Sequence, residues 1–449
     1  MLERSYAILG FGVTGQSAAR HLLARDCSVA VCDTRPAPEK ISDEFSDLPI
    51  RWNCTSWPDL AVTDALLSPG ISMRSCLVQG ARDAGVNLLS DIDLFFEHAR
   101  APVIGITGTN GKSTVTSLVG HMLNYASINC GVGGNLGDAA LDILDDASAA
   151  YVLELSSFQL ERSGDLPLRA ATILNVSADH IDMHGDMSGY IAAKQRIYAT
   201  ADLVVFNRED SVSRPLGAIK DGARQVSFGL NDPGSGPDWG LVKRDGRRWL
   251  ARGSTPVLPA DELPLLGAHN QANALAACAL VADMLDTTQI AEGLRSFQGL
   301  EHRYQLVCRA GGVNFVNDSK ATNLGATQAA LAGLPALDQV LLIAGGDAKG
   351  VDLSPLGDLL PGRVRKVFCI GVHGDHVGEV AQRVGVEFHR CADLSEAVVE
   401  AAGVSAPGDT VLLSPACSSL DMFNNFAERG RQFVKAVQRI APFMQEAED

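Results

Sequence analysis

"APVIGITGTNGKSTVTSLVGHML", residues 101–123, sets an apolar run, a glycine-bearing turn and a helical pattern in immediate succession. The run "PVIGIT" reads as a buried strand and "TVTSLVGHML" as the helix it feeds. Between them lie Gly108, Thr109, Asn110, Gly111, Lys112, Ser113 and Thr114. Glycines let backbone N–H groups approach phosphate oxygens, and a helix N-terminus adds positive partial charge. Lys112 then meets β- and γ-phosphates, and Ser113 offers a hydroxyl to Mg²⁺. The strict G-x-x-x-x-G-K-[ST] pattern is broken, because Ile106 takes its first glycine position. A glycine turn with no nucleotide is the competing reading; a lysine and two hydroxyls directly after the glycines weigh against it.

Upstream, "AILGFGVTGQSAARHLLARDCSVAVCDT" (7–34) has the same logic. A short strand runs into Gly10, Gly12 and Gly15 as G-x-G-x-x-G, and a second apolar run ends at Asp33, eighteen residues after Gly15. That is the dinucleotide fingerprint in its strand–turn–helix–strand setting. A glycine turn at a helix N-terminus accepts any phosphate, however, so the motif alone does not separate NAD from another nucleotide.

Both turns belong to an α/β pattern. Residues 1–98 alternate strands and helices ("YAILGFG", "SVAVCD", "ALLSPGI", "NLLSDIDLFFEHA"), which predicts a small Rossmann-like, doubly wound sheet. Residues 99–301 restart with the phosphate turn and continue through "AAYVLELS", "AATILNVS" and "DLVVFN", runs continuous enough for a mostly parallel, two-sided sheet in a P-loop-type ATPase domain. Within them Asp245-Gly246 reads as a hairpin turn. Residues 302–449 carry "NFVNDS", "VLLIAGG", "KVFCIGV" and "TVLLSPA", a third, Rossmann-like set, with a hinge expected near 299–303.

The chain has 449 residues, 46% apolar, with 44 glycines and a formal charge of −16 from 37 basic and 53 acidic residues. A net negative field repels phosphate polymers, so neither nucleic acid nor an anionic membrane is expected as a partner. An anionic ligand must instead meet local charge. The ten cysteines are scattered without a C-x-x-C, as small buried hydrophobes in a reducing compartment are. "MLERSYAILG" enters a strand with no signal-type apolar region, and no run is long enough to span a bilayer. The expectation is a cytoplasmic protein, and nothing in the sequence demands an oligomer, so a monomer is expected.

"GITGTNGKST" resembles the ATP-binding loop of the Mur ligases, ATP-dependent amide ligases of peptidoglycan precursor synthesis. "LELSSFQLE" (153–161), "NVSADHIDMHG" (175–185), "AAKQRIY" (192–198), "HNQANALAA" (269–277), "LEHRYQ" (300–305), "NDSKATN" (317–323), "GGDAKGVDL" (345–353) and "LLSPACSSLDMFNNFAERGRQF" (412–433) are similar to the family in order and spacing. "GFGVTGQS", "DTR" (33–35) and "SPGI" (68–71) are most like the branch that adds D-glutamate. The resemblance implies three α/β domains: 1–98 for the UDP substrate, 99–301 for ATP, and 302–449 for the incoming amino acid and part of ATP. The substrates it implies are UDP-N-acetylmuramoyl-L-alanine, D-glutamate and ATP, with Mg²⁺ at two sites.

Residue by residue, the resemblance implies that Gly108–Thr114, Asn270, Asn273, Arg303, Asp318 and Lys320 bind ATP. Val13, Thr14, Asp33, Thr34, Arg35, Ser68, Pro69, Gly70, Asn135, Ser156, Gln159 and His180 take the UDP substrate, and Thr322, Lys349, Ser419 and Phe426 take D-glutamate. Ser113, Glu154, His180 and Lys194 face the metals, Lys194 as a carbamate, which turns a cation into a carboxylate-like ligand. Lys112, Glu154, His180 and Lys194 form the catalytic set. Other readings stand beside several of these. Glu154 is also explained as a solvated strand-end carboxylate, Lys194 as a helix-surface lysine, and Asn135 as a left-handed turn residue. Helix capping accounts for Asn270, an interdomain salt bridge for Arg303 and Asp318, and core packing for Phe426. His180 and His184 form an H-x-x-x-H pair, but no third nitrogen or sulfur ligand stands nearby for zinc. The nearest alternatives in function are a folylpolyglutamate synthase of the same family, an NAD-dependent oxidoreductase, and a non-enzymatic nucleotide sensor.

Overall fold

The computed structural model describes residues 4–58, 60–179, 184–265, 267–332, 334 and 340–445. The chain forms two compact units, one of residues 1–240, 252–255 and 275–293, the other of 241–251, 256–274 and 294–449. The first unit holds the two sheets expected of residues 1–98 and of the ATP-binding segment.

In the N-terminal sheet the strands run Ile50–Arg51, Ser28–Cys32, Ser5–Leu9, Asp64–Leu67, Asn87–Ser90, all parallel. This is the doubly wound order. Strand order reverses between Ser5–Leu9 and Asp64–Leu67, and the carboxyl end of that pair is where such sheets take ligands. Both strands are buried apolar runs, Ile8, Leu9, Ala65 and Leu66 being fully enclosed.

The second sheet of this unit orders its parallel strands Arg224–Phe228, Leu203–Asn207, Ala170–Ile173, Val103–Thr107, Ala150–Glu154, Cys130–Gly134. Val103–Thr107 is buried throughout, and enclosing Ile104 and Ile106 stabilises by about 1.5–3 kcal/mol each. The helix Lys112–Tyr125 that follows presents Val115, Leu118, Val119, Met122 and Leu123 to the core, the i, i+3, i+4, i+7, i+8 stripe of a helix packed on a sheet.

No break in packing separates these two sheets. Phe95, on helix Asp91–His98, stacks edge-on against Tyr151 at 5.2 Å, and one apolar core runs from Tyr6 and Ile8 to Leu153 and Ile173. The expected boundary after residue 98 therefore falls at a helix end but not at the edge of a compact unit.

The strands Trp239–Arg244 and Arg247–Arg252, most of whose residues fall in the second unit, are neighbours, joined at Asp245 (φ 50°) and Gly246 (φ 78°). Two successive left-handed residues make the tight hairpin read from Asp-Gly. The unit's main sheet runs Gln305–Ala310, Val313–Asn317, Thr410–Leu413, Val340–Gly345, Val364–Ile370, Glu387–Arg390, parallel except for the first pair. Among the described residues no helix is long and apolar enough to cross a membrane.

Candidate active site

The phosphate turn is held by its own backbone and by one asparagine. Gly111 (φ 83°) caps the helix Lys112–Tyr125 in the left-handed region, and Gly108 (φ 155°) passes Leu174 so closely that a Cβ there would lie 3.1 Å from the leucine Cβ. Asn175 clasps the turn. Its backbone oxygen accepts from Thr109 N at 2.9 Å, its Oδ1 from Asn110 N at 2.9 Å, and its Nδ2 donates to Asn110 O at 3.0 Å. Thr109 Oγ1 donates to Ser177 O at 3.1 Å and lies 3.2 Å from the Tyr190 hydroxyl. Neither Asn175 nor Tyr190 was singled out by sequence.

Around this turn three of the four expected catalytic residues, Lys112, Glu154 and Lys194, come together. Ser113 Oγ donates to Glu154 Oε2 at 2.6 Å, and Asn135 Nδ2 donates to Glu154 Oε1 at 2.8 Å. Glu154 ends its strand only 2% exposed, which rules out the solvated carboxylate. Asn135 lies outside the residues with positive φ, so the left-handed turn reading also falls. Ser113 and Glu154 offer hard oxygens side by side, the donors Mg²⁺ takes. Lys112 Nζ donates to Gly108 O and Thr109 O, both at 2.9 Å.

Lys194, on helix Met187–Gln195, is 1% exposed, so it is no surface lysine. Its Nζ donates to Gly108 O at 2.9 Å and stands 4.6 Å over the Tyr190 ring. Burial first, then the charge of Lys112, drives its pKa well below the ordinary lysine value. His180 lies outside the described residues. His184 contacts Ser157 Oγ at 2.9 Å and stacks on Phe158 at 5.1 Å. Among the described residues no three His, Cys, Asp or Glu side chains gather to hold a metal.

At the N-terminal sheet, Gly10 (φ 92°) turns the chain, and a Cβ on Gly15 would lie 2.0 Å from Gly10 O. Ser68 Oγ donates to that same carbonyl at 2.7 Å, joining the two turns at the switch point. Asp33, 1% exposed, accepts from Phe11 N at 2.6 Å, Arg35 N at 2.8 Å, Arg35 Nε at 2.9 Å and Arg35 Nη2 at 2.7 Å. Burial opposes its charge, but the Arg35 and Phe11 hydrogen bonds outweigh it and hold the carboxyl down at about 2. The acid that would read a ribose in a dehydrogenase is thus committed to Phe11 and Arg35. Val13, Thr34, Arg35 and Gly70 are exposed beside it, with Thr14 and Pro69 half-buried.

Ser156 and Gln159 were expected to face a substrate. They form a reciprocal cap on helix Ser157–Arg162, and Gln159, 3% exposed, also reaches Asp91 at 3.3 Å.

In the second unit, Asn273 Nδ2 donates to Asn270 Oδ1 at 3.2 Å, both asparagines being buried on one helix face as their spacing predicts. Asp318 is committed within its own unit, Oδ1 to Tyr304 N at 3.1 Å and Oδ2 to Ser414 Oγ at 2.8 Å. Burial pushes its carboxyl up to about 7. Arg303 lies close enough to act on it through its charge. His302 (φ 64°) and Tyr304 (φ 48°) both have positive φ, which puts backbone strain next to the expected hinge.

Lys320 Nζ stands 4.0 Å over the Phe426 ring, so Phe426 is half-buried beneath a cation and is not simple core. Lys349 (φ 51°), past the end of Val340–Gly345, is exposed and follows an Asp347 turn contact of 2.9 Å. Thr322 is half-buried and Ser419 buried. Arg429, missed by sequence, is 1% exposed and donates to Ser319 Oγ at 3.0 Å, Ser319 O at 2.9 Å and Cys417 O at 3.2 Å. It ties the segment bearing Asp318, Lys320 and Thr322 to the one bearing Ser419.

Comparison with known proteins follows the same three segments. Residues 4–90 match the Mur ligase MurD-like N-terminal domain, 106–281 the Mur ligase middle domain, and 302–417 the Mur ligase glutamate ligase domain. The UDP-N-acetylmuramoylalanine--D-glutamate ligase of Methylococcus capsulatus is 45% identical over 439 residues, 97% of this chain and 94% of that protein. The enzyme of the same name from Pseudomonas aeruginosa is 45% identical over 443 residues, 97% and 98% of the two chains. In fold, the chain is similar to the crystal structures of Thermotoga maritima MurC, an UDP-N-acetylmuramate-alanine ligase (TM-score 0.61, 19% identity, 97% of this chain and 99% of that one), and Acinetobacter baumannii MurF (TM-score 0.61, 18% identity, 97% and 92%). With its phosphate turn, its Ser113–Glu154 pair and all three segments accounted for along nearly its whole length, the chain belongs to the Mur ligase family.

Proposed function

We infer that this chain joins D-glutamate to UDP-N-acetylmuramoyl-L-alanine at the expense of ATP, in peptidoglycan precursor synthesis. The observation that carries the ligase chemistry is the convergence of Ser113, Glu154, Lys112 and Lys194 on the turn at Gly108. The choice of substrates rests on the names of relatives 43–45% identical over nearly the full length.

An amide forms from a carboxylate only after activation. The muramoyl-alanine carboxylate oxygen attacks the γ-phosphorus, the bond to ADP breaks, and an acyl phosphate results. The D-glutamate amine then attacks the acyl carbon, loses a proton, and inorganic phosphate leaves. Both steps crowd anions together, so fixed positive groups and positioning supply much of the rate. Backbone N–H groups of Gly108–Thr114 and the helix start cradle the phosphates, and Lys112 swings from the Gly108 and Thr109 carbonyls to the β- and γ-phosphates. Ser113 and Glu154 would hold Mg²⁺, which would supply neutralising charge to the phosphates.

His180 and Lys194, the latter as its carbamate, would hold a second Mg²⁺. A buried lysine driven toward its uncharged form has the free electron pair that would bond to the carbon of CO₂; with one proton lost from the nitrogen to solvent, the carbamate would reverse the sign of its charge. Lys194 fits that modification.

The UDP moiety belongs at the switch point of the N-terminal sheet, with Val13, Thr14, Asp33, Thr34, Arg35 and Ser68–Gly70; Asn135, Ser156 and Gln159 stand toward the rest of that substrate. Asn270, Asn273, Arg303, Asp318 and Lys320 are assigned to ATP. Thr322, Lys349, Ser419 and Phe426 receive D-glutamate, whose two carboxylates call for a cation and hydroxyls. The domains are 1–98, 99–301 and 302–449, working as a cytoplasmic monomer.

The test is phosphate release from ATP and Mg²⁺ with UDP-N-acetylmuramoyl-L-alanine, comparing D-glutamate, L-glutamate and no amino acid. Release that requires both the UDP substrate and the D isomer, with the amide seen by mass, is the expected result. Release with a folate and L-glutamate would reassign the substrates.

A further inference from the structure

Arg162 closes the short helix Ser157–Arg162, which starts three residues after Glu154. Its Nη2 donates to Ile71 O at 2.7 Å and its Nη1 to Ser68 O at 3.3 Å. Those carbonyls bracket the turn Ser68-Pro69-Gly70-Ile71, which Ile71 N closes on Ser68 O at 3.0 Å. One guanidinium thus grips both ends of a single turn. From there Ser68 Oγ reaches Gly10 O, the carbonyl against which Gly15 packs so closely that no Cβ fits. The two turns leave the adjacent strands Ser5–Leu9 and Asp64–Leu67 and form the walls of the switch-point crevice.

The rest of the helix is anchored as firmly. Gln159 Nε2 reaches Asp91 Oδ2 at 3.3 Å, Ser163 Oγ lies 2.9 Å from Ser90 Oγ, and Gly164 N donates to Asp93 Oδ1 at 2.8 Å. Arg162 therefore reaches the turn from a fixed base. Its hydrogen bonds go to carbonyls, its guanidinium lies 6.0 Å from the Phe158 ring centre, and Glu161 and Asp91 act on it through space. Burying a cation against carbonyls is costly compared with filling the same space with an apolar side chain. Packing alone does not select such a group.

We propose that Arg162 is a positioning residue for the nucleoside diphosphate of the substrate: it locks the turn 68–71 against the glycine turn 10–15 and sets the width of the crevice between them. The helix that carries it begins three residues after Glu154, so a short stretch of chain joins this crevice to the phosphate site. The inference rests on the reading that this crevice holds the UDP moiety.

The full-length enzyme is compared with R162M and R162K. Steady-state KM is measured for UDP-N-acetylmuramoyl-L-alanine, ATP and D-glutamate, and calorimetry gives the Kd of the UDP substrate. R162M is expected to raise KM and Kd for the UDP substrate roughly tenfold, as loss of one or two charged hydrogen bonds that order a binding loop does. KM for ATP and kcat stay within about twofold, because the phosphate turn is untouched. R162K falls between, since an ammonium reaches one carbonyl where the fork reaches two. If R162M does not fold, R162K is read in the same way. Equal binding by R162M and wild type, or a parallel rise in all three KM values, would overturn the role of Arg162. Wild-type enzyme that fails to bind the UDP substrate would instead overturn the crevice reading beneath it.

Discussion

Ser113 Oγ meets Glu154 Oε2 across 2.6 Å, joining the first turn of the helix after the phosphate loop to the end of the neighbouring parallel strand. The contact is buried and shared with Asn135, so the carboxylate is fixed on both oxygens. Replacing Glu154 by Gln removes the charge while keeping an acceptor for Ser113. We expect phosphate release to fall by about 100-fold or more, the scale set by removing one preorganised electrostatic partner. The lost Asn135 bond costs about 1 kcal/mol of stability, so a thermal melt still shows folded protein. Near-normal turnover in E154Q would take Glu154 out of the metal site.

Lys194 makes stability depend on pH in a calculable direction. Its folded pKa lies well below 10.5, so between that value and about 10.5 the unfolded chain binds more protons than the folded one. Stability then rises with pH through this window, by at most about 1.4 kcal/mol per pH unit. K194M removes this contribution. Denaturant unfolding from pH 7 to 10 in CO₂-free buffer should show a steeper rise for wild type than for K194M. Parallel curves would mean that the lysine is charged in place. The same variant is expected to abolish turnover.

The two glycine turns were legible because everything that defines them is local: a strand, glycines and a helix in one short window. The Asp245-Gly246 hairpin and the shared face of Asn270 and Asn273 were legible for the same reason. What fixes the turns was not. Asn175 clasps Asn110 from 65 residues away, and Arg162 holds Ile71 from 91 residues away. No periodicity marks such partners. Cys130–Gly134 and Glu387–Arg390 escaped as strands because one is mostly glycine and the other, at a sheet edge, is largely polar. Asp33 was found as an acid in the right place, but its commitment to Phe11 and Arg35 depends on how the turn folds back. The S-x-x-Q spacing of Ser156 and Gln159 also spells a helix cap, a local signal of the same kind, and the structure forms it.

Asp318 titrates in the opposite sense to a salt-bridged carboxylate. Burial raises its folded pKa from 3.8 to about 7, so across that window the folded state holds a proton the unfolded state has lost. Stability falls as pH rises from near 4 to 7, by up to about 4 kcal/mol over the window. D318N keeps an acceptor for Tyr304 N, and Ser414 Oγ can turn to accept from the new amide. The variant without nucleotide should therefore be less pH-sensitive and more stable than wild type at pH 7, measured by urea unfolding at pH 5 and pH 7. It should also bind ATP more weakly, if the carboxylate is kept for a ribose. A D318N protein whose pH profile matches wild type would show that Asp318 is ionised throughout.

Gly12 and Gly15 separate a ligand requirement from a folding requirement within one turn. A Cβ at Gly15 would sit 2.0 Å from Gly10 O, a distance no side chain tolerates, whereas one at Gly12 meets no protein atom within 4 Å. Gly12 also has φ −81°, an ordinary value for any residue. G15A must push the turn away from its strand and is expected to lower stability by about 1–3 kcal/mol. G12A should melt like wild type, yet its methyl group stands where a diphosphate approaches the helix N-terminus. We expect KM for UDP-N-acetylmuramoyl-L-alanine to rise roughly tenfold in G12A, with KM for ATP unchanged, because ATP uses the other glycine turn. A G12A enzyme with wild-type KM for the UDP substrate would move the nucleotide off this turn, and a rise in KM for ATP alone would exchange the roles of the two.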